Sequence, residues 1–145
     1  MTITIRPAEA EDVAGIFHVH ISVSENALSM AELAEMGITP KAITAMIAEQ
    51  SCAWVAAEDG EVFGFSMIEP EDGSLFAAFV LPQHEGRGIG RKLVAAAEQQ
   101  LRIRHSVVWL ETGKHTRAEG FYRRLGWTTA QDLGNGDIRL EKRLR

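Results

Sequence analysis

A chain of 145 residues, 46% of them hydrophobic, is the size of one domain, numbered 1–145, with apolar side chains enough for a single core. Its net charge of -5 argues against a nucleic-acid surface, which shows as a basic patch, and fits ordinary solubility. A single cysteine, Cys52, excludes a disulfide framework and a cysteine metal site, and neither a membrane-length apolar run nor a basic-then-apolar leader is visible, so the expectation is a cytoplasmic protein without membrane or metal.

In chain order, residues 2–6 alternate as a first strand that Pro7 ends. Residues 11–24 carry Val13, Ile16, Phe17, Val19 and Val23 at near-helical spacing. Residues 26–36 read as a second short helix or a loop, stopped by Gly37. Thr39 and Pro40 form a cap and a first-turn proline, opening a third helix through residue 50. Residues 53–58 and 61–68 are strands joined at Asp59-Gly60, a hairpin turn signal. Cys52, entering the first of them, reads as a small buried hydrophobe. A third consecutive strand spans 74–81, a long helix 91–104 and another strand 107–111. Residues 116–127 hold a short helix, with Thr116 and Glu119 spaced as a capping box and Gly126 as its stop. Strands 127–131 and 137–141 pair across Gly134-Asn135-Gly136.

Chemistry concentrates where the strand 74–81 turns into the long helix. That turn reads Gln83-His84-Glu85-Gly86-Arg87-Gly88-Ile89-Gly90. Alternate glycines let the backbone curl tightly, and the first amides of a helix lack intrahelical partners. Such a terminus attracts anions, so the segment reads as a diphosphate cradle or as a plain tight connection. A Walker loop is excluded, because Gly90 is followed by Arg91-Lys92 with no hydroxyl for magnesium. The order G-x-G-x-G also departs from the dinucleotide fingerprint G-x-G-x-x-G.

Taken together, Q-x-E-G-R-G-I-G-R-K-L and the later A-x-x-F-Y-R-R-L-G-W resemble the GCN5-related N-acetyltransferase (GNAT) family over residues 76–127. The resemblance implies a mixed α/β fold with a central mixed sheet of about six to seven strands, flanked by helices. It also implies that strands 74–81 and 107–111 are a parallel pair that splays apart. The pantetheine arm of acetyl-CoA would slot between them, on backbone groups of Ala78, Phe79 and Val80. The diphosphate would rest on the amides of Arg87, Gly88, Ile89, Gly90 and Arg91, with Gly86 shaping the approach. A side chain on Gly88 or Gly90 would block the phosphate and strain the turn. Glu85 departs from the family, which carries Gln or Arg there. A carboxylate at that place weakens binding unless it points to solvent or pairs with Arg87.

Tyr122, the chain's single tyrosine, falls where the family places the phenol that meets the departing thiolate. Glu111 matches a Leu-Glu whose glutamate is the base in amino-terminal-peptide acetyltransferases, although this chain is one residue shorter between it and the tyrosine helix. His115 stands where the family often has an asparagine on the cofactor arm. His84 reads as exposed, Phe121 as core, and His18 and His20 lie on different helix faces, against a metal pair. The acceptor pocket would be lined by residues 22–37 and 131–138, where Glu25, Asn26, Glu32, Glu35 and Asp132 are available to a cationic amine. The expected activity is acetyl transfer from acetyl-CoA to a primary amine, on a small molecule or a peptide N-terminus, by direct attack in a ternary complex. A non-catalytic acyl-CoA sensor and a nucleotide module sharing only the loop are the alternatives. No nucleic-acid or membrane partner is expected, and a homodimer is plausible because sheet edges in this fold often pair.

Overall fold

The computed structural model describes residues 3–23 and 28–145. Thr2, Ser24, Glu25 and Asn26, named above in the first elements and the acceptor pocket, lie outside the described residues. Among the described residues, strands β1 (Thr4–Pro7), β2 (Ala53–Glu58), β3 (Glu61–Glu69), β4 (Ser74–Val80), β5 (Val107–Gly113), β6 (Thr128–Asp132) and β7 (Asp137–Arg143) make one sheet. Its order is β1-β2-β3-β4-β5-β7-β6. All neighbours are antiparallel except β4 and β5. Helices α1 (Val13–Ser22), α2 (Met30–Glu35), α3 (Pro40–Glu49), α4 (Ile89–Leu101) and α5 (Arg117–Arg124) flank it, which is the mixed α/β architecture that the motifs imply.

Local signals explain most boundaries. Thr39 Oγ1 accepts from the amide of Ala42 at 3.1 Å, and Pro40 opens α3. The segment read as helix or loop is a helix from Met30. Ser29 Oγ accepts from the Glu32 amide at 3.1 Å while the Glu32 carboxylate accepts from the Ser29 amide at 3.0 Å. The S-x-x-E of residues 29–32 carried that information. Before α1, residues 10–12 form a 3₁₀ turn held by Asp12. Its carboxylate accepts from the Glu9 amide at 2.8 Å and from Arg6 Nη1 and Nη2 at 2.8 and 2.9 Å, which ties β1 to the start of α1.

The two sheet faces carry different helices. On one, Ser66 Oγ donates to the Leu93 carbonyl at 2.9 Å, and the apolar side of α4 (Leu93, Val94, Ala97, Leu101) is buried. On the other, α1 covers Phe65 and its cross-strand partner Phe79.

The pairing of β4 decides where a ligand can enter. Met67 lies opposite Ala77 and Ile68 opposite Leu75, which leaves Phe76 unmatched as a bulge. A bulge bends its strand and increases local twist. The parallel contact with β5 is correspondingly short: Ser74 is in register with Trp109, whose amide donates to the Gly73 carbonyl at 3.1 Å. Past that point β4 continues to Val80 with no β5 neighbour, so the parallel pair is splayed.

Backbone groups alternate between the two edges of a strand. The Leu81 amide donates to the Phe63 carbonyl at 2.8 Å, and Phe79 lies opposite Phe65. The amide and carbonyl of Phe79 therefore face β3, while those of Ala78 and Val80 face the gap. Of the three residues expected to offer backbone groups to an arm in the gap, Phe79 is already committed to the ladder.

Candidate active site

The chain leaves β4 through Leu81 and a short 3₁₀ turn, Pro82–His84, then curls at Gly86 and Gly88, each with φ of 78°. Side-chain-bearing residues avoid that region, and glycine enters it freely. Gly88 caps α4, and its carbonyl accepts from the Lys92 amide at 3.3 Å. The amides of Ile89, Gly90 and Arg91 stand in the first turn, where no intrahelical acceptor exists. The amides of Arg87 and Gly88 immediately precede them, at the positive end of a helix dipole. A Cβ built on Gly86 or Gly88 meets no atom within 4 Å beyond its own chain neighbours, so the space ahead of the turn is open. Unpaired amides beside open space at a helix start suit an anion such as a diphosphate.

Gly90 differs from the expectation that it relieves strain in the turn. It is helical, and a Cβ there would stand 3.3 Å from Cζ of Phe121. It is small because α5 presses on the start of α4. Glu85 does not pair with Arg87: its Oε2 accepts from Arg117 Nη1 of α5 at 2.9 Å. Arg87 Nη1 donates instead to His84 Nδ1 at 3.0 Å. The His84 ring stacks on Phe63 at 4.0 Å and is half-buried rather than exposed.

Helix α5 brings Tyr122 toward this region. Thr116 caps it, accepting from the Glu119 amide at 3.2 Å. The reciprocal half of the expected capping box is shifted by one residue, because the Glu119 carboxylate accepts from His115 N at 2.9 Å. That bond holds His115 at φ 66°, a left-handed conformation, with its side chain exposed. Tyr122 is 7% exposed and packs edge-on against Phe121 and Trp127, with centroids 5.2 and 6.1 Å away. Burial pushes its phenol far above the usual range, so the hydroxyl stays a donor across physiological pH. Trp127 Nε1 donates to Glu98 at 3.2 Å, and Lys142 Nζ bonds both Glu98 (2.9 Å) and the Leu125 carbonyl (2.7 Å). This group pins the end of α5 to α4 and β7.

Glu111 lies on the opposite face. Along β3, Phe65, Met67 and Glu69 share one side; Glu69 pairs with Ser74, and Ser74 with Trp109. Trp109 and Glu111 thus face the α1 side with Phe79, while Val108, Leu110 and Thr112 are buried toward α5. Glu111 is exposed and committed: its Oε2 accepts from Arg139 Nε at 3.1 Å and Nη2 at 2.5 Å. The same guanidinium sits 4.1 Å above the Trp109 ring. Two of the acceptor-pocket carboxylates are also spoken for. Glu32 caps Ser29, and Asp132 binds Lys114 at 2.5 Å and the Gly134 amide at 2.9 Å. Glu35 stays exposed on α2.

The sequence reading weighed His20 only as half of a metal pair with His18. His18 is exposed, but His20 is buried on the α1 face, its ring 4.8 Å from that of Phe79 and 5.8 Å from that of Phe65. Its Nδ1 is sealed without a hydrogen-bond partner among the described residues. The signal was available, since His20 continues the stripe Val13, Ile16, Phe17 at the next helical position.

The family model of the acetyltransferase (GNAT) domain matches residues 49–129. The fold is shared with the PaiA N-acetyltransferase of Thermoplasma acidophilum in complex with coenzyme A, at 18% identity and TM-score 0.80 over 99% of both chains. It is shared with the ribosomal-protein-S18-alanine N-acetyltransferase of Escherichia coli, at 19% identity and TM-score 0.73 over 99% of this chain and 94% of that one. A third is yncA of Salmonella typhimurium with its cofactor acetyl-CoA, at 17% identity and TM-score 0.72 over 100% of this chain and 95% of that one. The likeness to these three is one of fold, but the family model spans more than half of the chain and includes both the cradle and the Tyr122 helix. The protein belongs to the GNAT acetyltransferase family.

Proposed function

We propose that this chain transfers the acetyl group of acetyl-CoA to the nitrogen of a primary amine, by direct attack with both substrates bound. One observation carries the reading: the open edge of β4, with Ala78 and Val80 turned to the gap, runs directly into the amide cradle of residues 86–91. A free backbone edge that ends in an anion site suits a ligand with amides along its arm and phosphates at its end.

The residues divide the work by sheet face. Backbone donors at Ala78 or Val80 point to where a thioester carbonyl would lie and stabilise the charge that develops on its oxygen, an effect worth about 3 kcal/mol. Tyr122, on the α5 side and held protonated by burial, supplies a hydrogen bond or proton to the leaving sulfur. The amine reaches the carbonyl from the α1 side, where Glu111 is a carboxylate tied to Arg139. Peptide N-termini join small amines among the acceptors to screen, because one structural neighbour is named for an alanine of ribosomal protein S18.

Calorimetric titration with acetyl-CoA, CoA and ADP, on the wild type and on Gly88→Val, tests the reading. Binding of both CoA forms, lost in the variant, supports it. ADP binding as strongly as either CoA form would favour a nucleotide module, and no binding would end the proposal. A non-catalytic sensor separates from an enzyme through Tyr122→Phe, which leaves binding intact in both but removes turnover only in the enzyme.

A further inference from the structure

The structure packs the His20 ring on Phe79, in the stretch of β4 that lacks a β5 neighbour, on the sheet face opposite Tyr122. The two ring centroids stand 4.8 Å apart, and Phe79 is the residue between Ala78 and Val80. Phe79 has β3 on one flank and, beyond the single Ser74–Trp109 contact, no strand on the other. His20 therefore lies one side-chain layer from the gap, on the face from which an amine would approach.

An imidazole enclosed among aromatic rings, with Nδ1 unpartnered among the described residues, is a costly residue for a core. A phenylalanine would fill the same space without that cost. Native structures keep few such groups, and a catalytic role is one of the accepted reasons. Glu111 shares the sheet face but is engaged by Arg139, so proton removal from the amine is otherwise unassigned.

We propose that His20 is the base that receives, through water in the gap, the proton of the ammonium form of the acceptor. This rests on the acetyltransferase reading given above. The balance is as follows. An N–H bond of the ammonium breaks and its proton goes, through that water, to the free lone pair of the imidazole. The nitrogen lone pair so released forms the C–N bond at the thioester carbon, and the C–S electron pair leaves on sulfur. A second amine proton reaches the sulfur through the Tyr122 hydroxyl, which gives its own proton and is replenished. The third stays on the amide, and His20 returns its proton to solvent.

Burial keeps the imidazole below its ordinary pKa, with a smaller opposing pull from its own backbone, so the ring is neutral and able to accept at pH 7. The ring faces Phe65 of β3 and Phe79 of β4, and no charged group of α1, α3, β3 or β4 among the described residues contributes to that shift. The proposal thus places the acidic limb of the pH–rate profile in His20.

Two variants test it, His20→Phe, which fills the aromatic slot, and His20→Gln. Calorimetry with CoA comes first: absence of binding in the wild type would sink the acetyltransferase reading itself, whereas unchanged binding in all three proteins isolates the role of His20. The ring ¹H–¹⁵N signals of His20 should shift when CoA is added, whatever the acceptor, and unmoved signals would overturn the proposal. Thiol release from acetyl-CoA is then followed with spermidine, tyramine and an alanine-initiated peptide as cationic acceptors, and with hydroxylamine, which is neutral at pH 7. Both variants should lose roughly 100-fold or more in kcat/KM toward a cationic acceptor and much less toward hydroxylamine. His20→Phe should also be at least as heat-stable as the wild type. A stable His20→Phe protein with wild-type kcat/KM and pH profile would overturn the assignment while leaving the acetyltransferase reading in place.

Discussion

The Cα of Gly90 faces the ring of Phe121 so closely that a Cβ would come within 3.3 Å of Cζ and 3.6 Å of Cε1. The cradle at the start of α4 and the helix that carries Tyr122 are thus packed on each other through a position where a methyl group would crowd the ring. Gly88, two residues earlier, is small for a different reason: its φ of 78° is a conformation that alanine adopts at a cost of about 1–2 kcal/mol. Gly88→Ala should lose about that much stability. Gly90→Ala should change stability far less, because the better helix propensity of alanine, worth roughly 0.5–1 kcal/mol, offsets the crowding of Phe121. Denaturant unfolding of both variants checks this, and equal losses would contradict the division of roles.

Glu85 and Arg117 join the cradle to α5 across exposed surface, with side-chain exposures of 32% and 75%. An ion pair so open contributes roughly 0–1 kcal/mol to stability. Glu85→Gln should leave thermal stability nearly unchanged while removing a negative charge beside the diphosphate donors. Acetyl-CoA binding should tighten by about 1 kcal/mol or less, roughly fivefold at most at low salt, with the gain shrinking as salt rises. Calorimetry at two ionic strengths would show it, and weaker binding in Glu85→Gln would mean that the carboxylate positions Arg117 for the ligand.

These pairs mark the boundary of what the sequence made legible. The cradle, the Tyr122 helix and the Asp59-Gly60 and 134–136 turns are local, because glycine spacing and capping residues act within a few positions. Glu85–Arg117 and Glu111–Arg139 join residues 32 and 28 apart, and only the sheet order brings them together. The orientation of Phe79 was hidden for a related reason. Which backbone groups face the gap depends on the β3 register around the bulge at Phe76, and no property of the segment 78–80 fixes it. His20 was legible, since it continues a helical stripe, but that stripe was read from apolar residues alone.

Tyr122 should behave as a donor that never titrates in the working range. Replacing it with phenylalanine preserves the edge-on contacts with Phe121 and Trp127, so CoA affinity and stability at neutral pH should hold while kcat falls roughly 100-fold. Burial raises the folded phenol above its ordinary value of 10.0. The unfolded chain therefore loses this proton first as pH rises, and the tyrosine contribution to stability is full below about pH 10 and lost progressively above it. Chemical unfolding at alkaline pH should show wild type losing stability faster than Tyr122→Phe.

Asp12 sets the opposite limb. Its carboxylate accepts two bonds from Arg6 and one from the Glu9 amide in a nearly closed site, with 6% side-chain exposure. The Arg6 hydrogen bonds are the largest cause holding its pKa below the usual carboxylate value, outweighing burial. A folded pKa below the unfolded one means that the stabilisation is present above about pH 4 and drains as pH falls, when the unfolded chain takes up the proton first. Asp12→Asn keeps the shape but halves the acceptors and removes the charge, at a cost of about 2 kcal/mol near neutrality. Unfolding free energies of the two proteins should converge as pH drops from 5 toward 2. A gap that stays constant over that range would show that the clamp between β1 and α1 depends on packing rather than on the Arg6–Asp12 charge pair.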